Sequence, residues 1–125
     1  MRKTVLIVDD NTFIRHALFE IFQRETDFEV CGVAENGREA IDQAGLLRPD
    51  LIVLDLSMPV MNGLEAARIL KQLMPSVPLI MYSALEDRFS AQKARLSGIA
   101  EQVSKSDHVT VLIDKVRGLL YPKAA

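Results

Sequence analysis

The sequence predicts an α/β domain with a parallel β-sheet and helices on both faces of the sheet. Segments with the apolar spacing of helices alternate with short apolar segments, and this alternation occurs five times along the chain. Apolar runs of this length are typical of parallel strands buried on both faces. The clearest runs are VLIV at 5–8, LIVL at 51–54 and VPLIMY at 77–82.

The first predicted helix follows the first strand. Its apolar residues recur at i, i+4 and i+8, which predicts that one helix face packs into the core. Either Asp10 or Asn11 can serve as the N-cap of this helix. The residues assigned to the core-facing side are Phe13, Ile14, Ala17, Leu18, Ile21 and Phe22.

The middle of the chain contains two strands and two helices by the same reasoning. FEVCGVA at 28–34 predicts the second strand, and LIVL is the third. Asn36 with Glu39 three residues later is a variant of the capping box and begins the second helix. The third helix is predicted at 64–74 and ends before Pro75, which cannot continue it.

The last third of the chain completes the pattern. VPLIMY contains the fourth strand, and a more polar helix at 86–96 is ended by Gly98. Val103 marks a short fifth strand. The final helix is predicted from about Asp107 to Leu120, capped by Ser106 or by Asp107 itself.

Composition narrows the class of protein. The 125 residues are 49% hydrophobic and 26% charged, which is ordinary for one globular domain. A net charge of −2 gives no basic footprint, so we expect no nucleic-acid binding by this chain. Cys31 is the only cysteine, which excludes an intrachain disulfide. The apolar run in MRKTVLIVDD is too short for a signal peptide or membrane span, so we expect a cytoplasmic protein.

Polar side chains follow four of the predicted strands. Asp9 and Asp10 come after the first strand, Asp55 after the third, Ser83 after the fourth and Lys105 after the fifth. The carboxyl ends of parallel strands meet at one edge of a sheet, where ligands of open α/β folds bind. The sequence therefore predicts three carboxylates, one hydroxyl and one ammonium at this edge.

Three neighbouring carboxylates repel one another, and a divalent cation relieves that repulsion. Mg²⁺ is a hard ion that takes oxygen ligands, often carboxylates together with a phosphate. The DDNTF loop has no glycine, which disfavours a nucleotide-phosphate cradle made of backbone amides. Asp55 can then act as a nucleophile that forms an aspartyl phosphate, with Ser83 and Lys105 contacting phosphoryl oxygens.

Four motifs resemble the receiver domain of two-component response regulators in order and spacing, over nearly the whole chain. They are VLIVDDN (5–11), LIVLDLSMPVMNGLEAA (51–67), LIMYSAL (79–85) and VSKSD (103–107). ENGREA at 35–40 and the KSD ending resemble most the NarL/FixJ-type transcriptional regulators. The resemblance implies a single flavodoxin-like (CheY-like) doubly wound domain, with five helices and a five-stranded parallel sheet of order 2-1-3-4-5. This domain is expected to span 1–121, followed at 122–125 by a tail or the start of a linker.

The resemblance also implies roles for the residues at the sheet edge. Asp55 is the phosphoacceptor and receives its phosphoryl group from a sensor histidine kinase or phosphotransfer protein. Ser83 is the switch hydroxyl, and Lys105 pairs with the phosphoryl group. The implied ligands of Mg²⁺ are Asp10, Asp55, the backbone carbonyl of Ser57 and, through water, Asp9.

One residue departs from the family pattern. The position three before Lys105 is usually aromatic in receivers, and here it is Gln102. Its amide either swings and hydrogen-bonds as part of the switch or lies exposed and inert. The second case favours an alternative function, a phospho-independent interaction module.

Other functions follow from the same residues. A phosphatase of the haloacid-dehalogenase type would need a second acid two residues after Asp55, where Ser57 stands, so only slow self-dephosphorylation is expected. The NarL/FixJ likeness implies control of transcription through a DNA-binding domain after Pro122, which this chain lacks. Homodimerisation on phosphorylation is plausible for such a regulator. A kinase is expected to contact the exposed edge of the first helix, including Arg15 and Phe19.

Overall fold

The protein forms one parallel β-sheet, as seen in a computed structural model that describes residues 2–84 and 91–122. The strands are β1 (Lys3–Val8), β2 (Phe28–Ala34), β3 (Leu51–Leu54), β4 (Leu79–Ser83) and β5 (Glu101–Ser104). They are hydrogen-bonded in the order β2-β1-β3-β4-β5, and every neighbouring pair is parallel. The predicted CheY-like sheet order is therefore confirmed.

In the described residues, four helices connect the strands and a fifth follows β5. They are α1 (Thr12–Arg24), α2 (Gly37–Leu47), α3 (Gly63–Leu73), α4 (Ala91–Leu96) and α5 (Val109–Leu120). The prediction that the fourth helix begins at Glu86 falls on residues 85–90, which lie outside the described residues. No helix in the described ranges is long and apolar enough to cross a membrane.

The apolar strands form a core on each face of the sheet. Alternate residues of β1 point to opposite sides, so that Val5 and Ile7 pack with α1 and α5, while Leu6 and Val8 pack with α2 and α3. All four residues of β3 are buried, two in each layer. Coverage on both faces explains why these strands have continuous apolar sequences without polar alternation.

The core-facing side of α1 differs from the prediction. Leu18 and Phe22 are buried, but Phe13 is 88% exposed and Ala17 also faces solvent. Successive residues of an α-helix turn by about 100°, so Phe13 and Phe22 lie roughly 180° apart on the helix. Leu18 and Phe22 pack in the core, with Ile14 and Ile21 partly buried against it. The helix turns Phe13 and Ala17 toward solvent.

Asparagine caps begin three of the helices. Asn11, Asn36 and Asn62 each accept a hydrogen bond from the backbone N–H three residues later. The predictions of Asn36 as a cap and of Asn11 as one of two candidates are confirmed.

The predicted cap of the last helix is wrong. This helix begins at Val109, and His108 caps it by accepting a hydrogen bond from the Thr110 N–H at Nδ1. Ser106 and Asp107 instead donate their N–H groups to the side chain and the carbonyl of Ser104. This turn keeps them outside the helix.

The first residue of α3 packs directly against the backbone that follows β3. The Gly63 N–H donates to the Leu56 carbonyl at 2.7 Å. A Cβ atom added at Gly63 would lie 2.1 Å from the carbonyl oxygen of Asp55. Only glycine allows this approach, so the position of Asp55 is set partly by the start of α3.

We expect Gly63→Ala to lower the free energy of unfolding by about 1 to 3 kcal/mol, because the new methyl group meets rigid backbone. Urea unfolding followed by circular dichroism measures this change. Gly45→Ala is the matched control, since Gly45 lies in α2 with no atom within 4 Å of the added Cβ. It should raise stability by about 0.5 to 1 kcal/mol. Equal effects of the two variants would contradict the packing argument.

Candidate functional site

Three carboxylates meet at the carboxyl edge of the sheet. Val8 and Leu54 are partners in the register of β1 and β3, so Asp9 and Asp55 leave adjacent strands side by side. The Asp55 N–H donates to the Val8 carbonyl at 2.9 Å. One oxygen atom from each of Asp9, Asp10 and Asp55 lies within 4.8 Å of the others. Asp9 and Asp55 are buried, whereas Asp10 is exposed.

Lys105 brings a positive charge to this cluster from the end of β5. Its Nζ lies 2.8 Å from Oδ2 of Asp9 and 3.3 Å from Oδ1 of Asp55. Its backbone N–H donates to the Ser83 carbonyl at 2.8 Å, which fixes the loop after β5 to the end of β4. Burial disfavours the ammonium, but hydrogen bonds to Asp9 and the charge of Asp55 outweigh burial and raise the pKa of Lys105. Lys105 is therefore cationic at neutral pH.

One lysine does not balance the negative charge. Burial of Asp55 and the neighbouring charge of Asp9 raise the pKa of Asp55 to about 7, although Lys105 acts in the opposite direction. Both causes favour the protonated form of the Asp55 carboxyl group in the metal-free protein.

The remaining predicted residues take different positions around the cluster. Ser83 is buried at the end of β4, where its register partner is Ser104 of β5. Ser57 is exposed in the loop after Asp55. Gln102 is half-buried in β5 opposite Met81, which belongs to the core layer beneath α2 and α3.

Two contacts to Asp9 were missed by the sequence reasoning. The Asn11 N–H donates to Oδ1 of Asp9 at 2.9 Å, and Nη1 of Arg15 donates to the Asp9 carbonyl at 2.8 Å. Because Lys105 contacts Oδ2, both carboxylate oxygens of Asp9 have partners. The sequence predicted Arg15 only as part of the exposed edge of α1 that a kinase would contact. No sequence pattern reports that its side chain reaches back to the loop before α1.

The loop after Asp55 contains a strained residue. Val60 has a φ of 68°, in the left-handed region that β-branched residues rarely adopt. Its neighbour Met61 accepts a hydrogen bond from the Gly37 N–H at 2.9 Å, which ties the loop to the start of α2. Strain of this kind persists where the surroundings fix the backbone, and it often accompanies functional loops.

The cluster is suited to a hard divalent cation. Its donors are all oxygen atoms, and two of the three carboxylates are buried. These are the properties that Mg²⁺ sites in proteins share. A bound cation would favour the ionised form of Asp55 and lower its pKa.

Comparisons with known proteins agree with this geometry. Residues 5–117 match the family described as response regulator receiver domain. A protein-glutamate methylesterase/protein-glutamine glutaminase from a Nocardioides species is 36% identical over 124 residues, covering 95% of this chain and 34% of that protein. The chain thus spans about a third of the length of this curated relative.

Solved structures resemble the whole chain. The response regulator domain of Thermotoga maritima CheB has a TM-score of 0.87 at 29% identity, covering 99% of this chain and all of that one. The CheX–CheY–BeF3–Mg complex from Borrelia burgdorferi has a TM-score of 0.86 at 26% identity, covering 94% of this chain and 88% of that one. The predicted likeness to NarL/FixJ-type regulators is not confirmed by these comparisons and stays a prediction.

We expect Asp55→Asn to raise the free energy of unfolding in metal-free buffer, and to raise it more at high pH. The usual pKa of an aspartate is near 3.8, and folding raises it to about 7. The unfolded chain therefore releases this proton first, and stability falls as pH rises between these values. The gain should be about 2 kcal/mol larger at about pH 8 than at about pH 5.

Urea unfolding in the presence of EDTA measures this difference. Asp42→Asn is the matched control, because Asp42 is exposed on α2 and pairs only weakly with Arg38 at 3.9 Å. If Asp55→Asn gave the same gain at both pH values, the raised pKa would be wrong.

Proposed function

Because the chain belongs to the family of response regulator receiver domains, we propose that it accepts a phosphoryl group on Asp55 and changes conformation to control an output. The main observation that supports this proposal is the structural environment of Asp55. It is buried at the end of a rigid strand, grouped with two other carboxylates and 3.3 Å from Lys105. A nucleophile in this position is fixed in orientation before the phosphodonor arrives.

The proposed donor is a phosphohistidine on a sensor histidine kinase or phosphotransfer protein. A carboxylate oxygen of Asp55 attacks phosphorus, and the phosphorus–nitrogen bond breaks as the phosphorus–oxygen bond of the acyl phosphate forms. The histidine nitrogen leaves with the electron pair and takes up a proton. Lys105 then balances charge on the phosphoryl oxygens, and Ser83 supplies a hydroxyl for one of them.

Mg²⁺ is the proposed cofactor, and when bound it neutralises charge on the transferring group. Asp10, Asp55 and the backbone carbonyl of Ser57 are its proposed direct ligands. Both oxygens of Asp9 already have partners, which supports the proposal that Asp9 acts through a water molecule. The chain is not proposed to act on other phosphate esters, since Ser57 stands where a phosphatase of the haloacid-dehalogenase type needs an acid.

The output of the domain is proposed from its relatives. We propose that 1–121 form the receiver and that 122–125 are a tail or the start of a linker, in a cytoplasmic protein. Relatives of this chain are named protein-glutamate methylesterase/protein-glutamine glutaminase. Their name supports the proposal that the domain controls an enzyme of this type. Control of transcription, with homodimerisation on phosphorylation, remains the alternative output.

The conformational response to phosphorylation is proposed to involve β4 and β5. We propose a switch in which Ser83 and Gln102 respond to the phosphoryl group. A half-buried amide in β5 supports such a response, because a change in its hydrogen bonding would alter the adjacent core layer. The alternative is a phospho-independent interaction module, in which Gln102 takes no part in signalling.

Incubation with acetyl phosphate and Mg²⁺ should add one phosphoryl group to the protein, seen as a gain in intact mass. Asp55→Asn should show no gain, because it removes the attacking oxygen, while Asp42→Asn should be labelled normally. NMR shifts that reach Gln102 and α5 would support the switch. Shifts confined to Asp55, Ser83 and Lys105 would favour the interaction module. Labelling that persists in Asp55→Asn would exclude Asp55 as the acceptor.

We expect Mg²⁺ to stabilise the protein, since the ion binds the folded carboxylate cluster better than the unfolded chain. A concentration about ten times the dissociation constant should add about 1.4 kcal/mol to the free energy of unfolding. Asp10→Asn should remove most of this gain, and Asp42→Asn should keep it. Urea unfolding across a MgCl₂ series measures the effect. An undiminished gain in Asp10→Asn would remove that residue from the ligand set.

A further inference from the structure

A groove lies between α3 and the turn that ends α4. It encloses about 420 Å³. We call it the α3–α4 groove, and its lining residues are Arg68, Lys71, Gln72, Arg95, Leu96, Ser97 and Gly98. These residues belong to α3, to α4 and to the turn after α4, whereas the acidic cluster follows β1 and β3. The groove is therefore separate from the proposed phosphorylation site.

The described residues that line the groove carry only positive charge. Arg68, Lys71 and Arg95 line it, and no carboxylate within 2–84 and 91–122 does. Within residues 2–84 and 91–122, these three side chains form no ion pair or hydrogen bond. Five other basic residues do contact carboxylates: Arg2, Arg38, Lys105, Lys115 and Arg117. A protein of net charge −2 thus concentrates three uncompensated cations in one concave surface.

The floor of the groove is held by a specific backbone turn. Gly98 has a φ of +87° and donates its N–H to the Arg95 carbonyl at 3.0 Å. A Cβ atom at Gly98 would lie 2.7 Å from Cγ of Lys71, so the lysine stem lies directly across the turn. Packing of the stem limits the motion of Lys71 and lowers the entropy lost when its ammonium binds a ligand.

An apolar side chain adjoins these cations. Leu96 lines the groove and is 80% exposed, and Leu73 at the end of α3 is 59% exposed. Nucleic acid is a poor match, because three cations on an acidic domain are far from the basic footprint of nucleic-acid binders. A peptide that presents both carboxylates and an apolar side chain matches the groove in charge and in polarity.

We propose that the α3–α4 groove binds an acidic segment of a partner protein. Carboxylates of the segment pair with Arg68, Lys71 and Arg95, and an apolar side chain packs on Leu96. This interaction uses no residue of the Asp55 site and goes beyond the proposed phosphoryl transfer. It gives the domain a second contact surface, distinct from the one that meets the phosphodonor.

A fluorescently labelled peptide of alternating glutamate and leucine tests the proposal, with binding to the whole chain measured by fluorescence anisotropy at low salt. The double variant Arg68→Glu/Arg95→Glu should weaken binding by about tenfold or more. Arg24→Glu is the matched control and should change affinity less than about twofold. Arg24 is also an exposed arginine in the last turn of a helix, and it has no partner among the described residues.

Two further measurements distinguish specific binding of the peptide from nonspecific electrostatic attraction. Leu96→Ser should weaken binding of the same peptide, and a peptide with glutamine in place of glutamate should not bind. Circular dichroism melts confirm that each variant is folded. Equal affinity of the double variant and the wild type, or tighter binding of a DNA duplex than of the peptide, would overturn the proposal. Asp55→Asn should bind the peptide normally, so failure here is distinguishable from failure of the proposed phosphoryl transfer.

Discussion

Repulsion between two buried carboxylates, Asp9 and Asp55, is the interaction around which the site is arranged. The two strands that carry them are neighbours in the sheet, and both are covered on each face by apolar side chains. The carboxylates therefore cannot separate without disrupting the core. Lys105 offsets part of this repulsion, but burial of Asp55 and the charge of Asp9 together still raise the pKa of Asp55. The unfavourable ionisation of Asp55 therefore favours binding of a metal ion, and it favours a reaction that changes the charge of Asp55.

Several features of the fold hold these charges in place despite their repulsion. Asn11 and Arg15 fix the loop that follows β1, through the side chain and the carbonyl of Asp9. Gly63 lets α3 begin against the carbonyl of Asp55, and the strained backbone at Val60 lies in the same connection. Donors and charges fixed before the reaction need no reorganisation when charge develops. Because the backbone holds these charges close together, the site lowers the stability of the folded state. Functional sites often contain such strain.

The sequence predicts the strands better than the details of the site. LIVL and FEVCGVA match β3 and β2 residue for residue, because burial on the sheet leaves a local signal in the sequence. Phe13 was misplaced because an i, i+4 row drifts by about 40° per step, and a row of apolar residues can leave the core at one end.

Contacts between distant segments leave no comparable signal. The reach of Arg15 to Asp9 depends on how α1 leaves the sheet. The α3–α4 groove depends on Gly98 bringing a turn against Lys71. The hydrogen bonds of Ser104 exclude Ser106 and Asp107 from the last helix. Each of these is set by tertiary packing, whereas the order of carboxylates along the chain was enough to predict which acidic residues would meet.

The β4–β5 pair is the structural connection between the acidic cluster and Gln102. Lys105 contacts two carboxylates through its side chain and Ser83 through its backbone, and Gln102 precedes it by three residues in β5. In the proposed switch, a change of charge at Asp55 alters the position of Lys105, because their attraction is part of what fixes it. An aromatic ring in place of Gln102 would respond to such a change by moving into or out of a space between neighbouring side chains. An amide responds through directional hydrogen bonds instead, which lose strength steeply when their angle changes. In the proposed switch, the response of Gln102 would therefore depend on hydrogen-bond geometry along β5, and less on the packing of one large side chain.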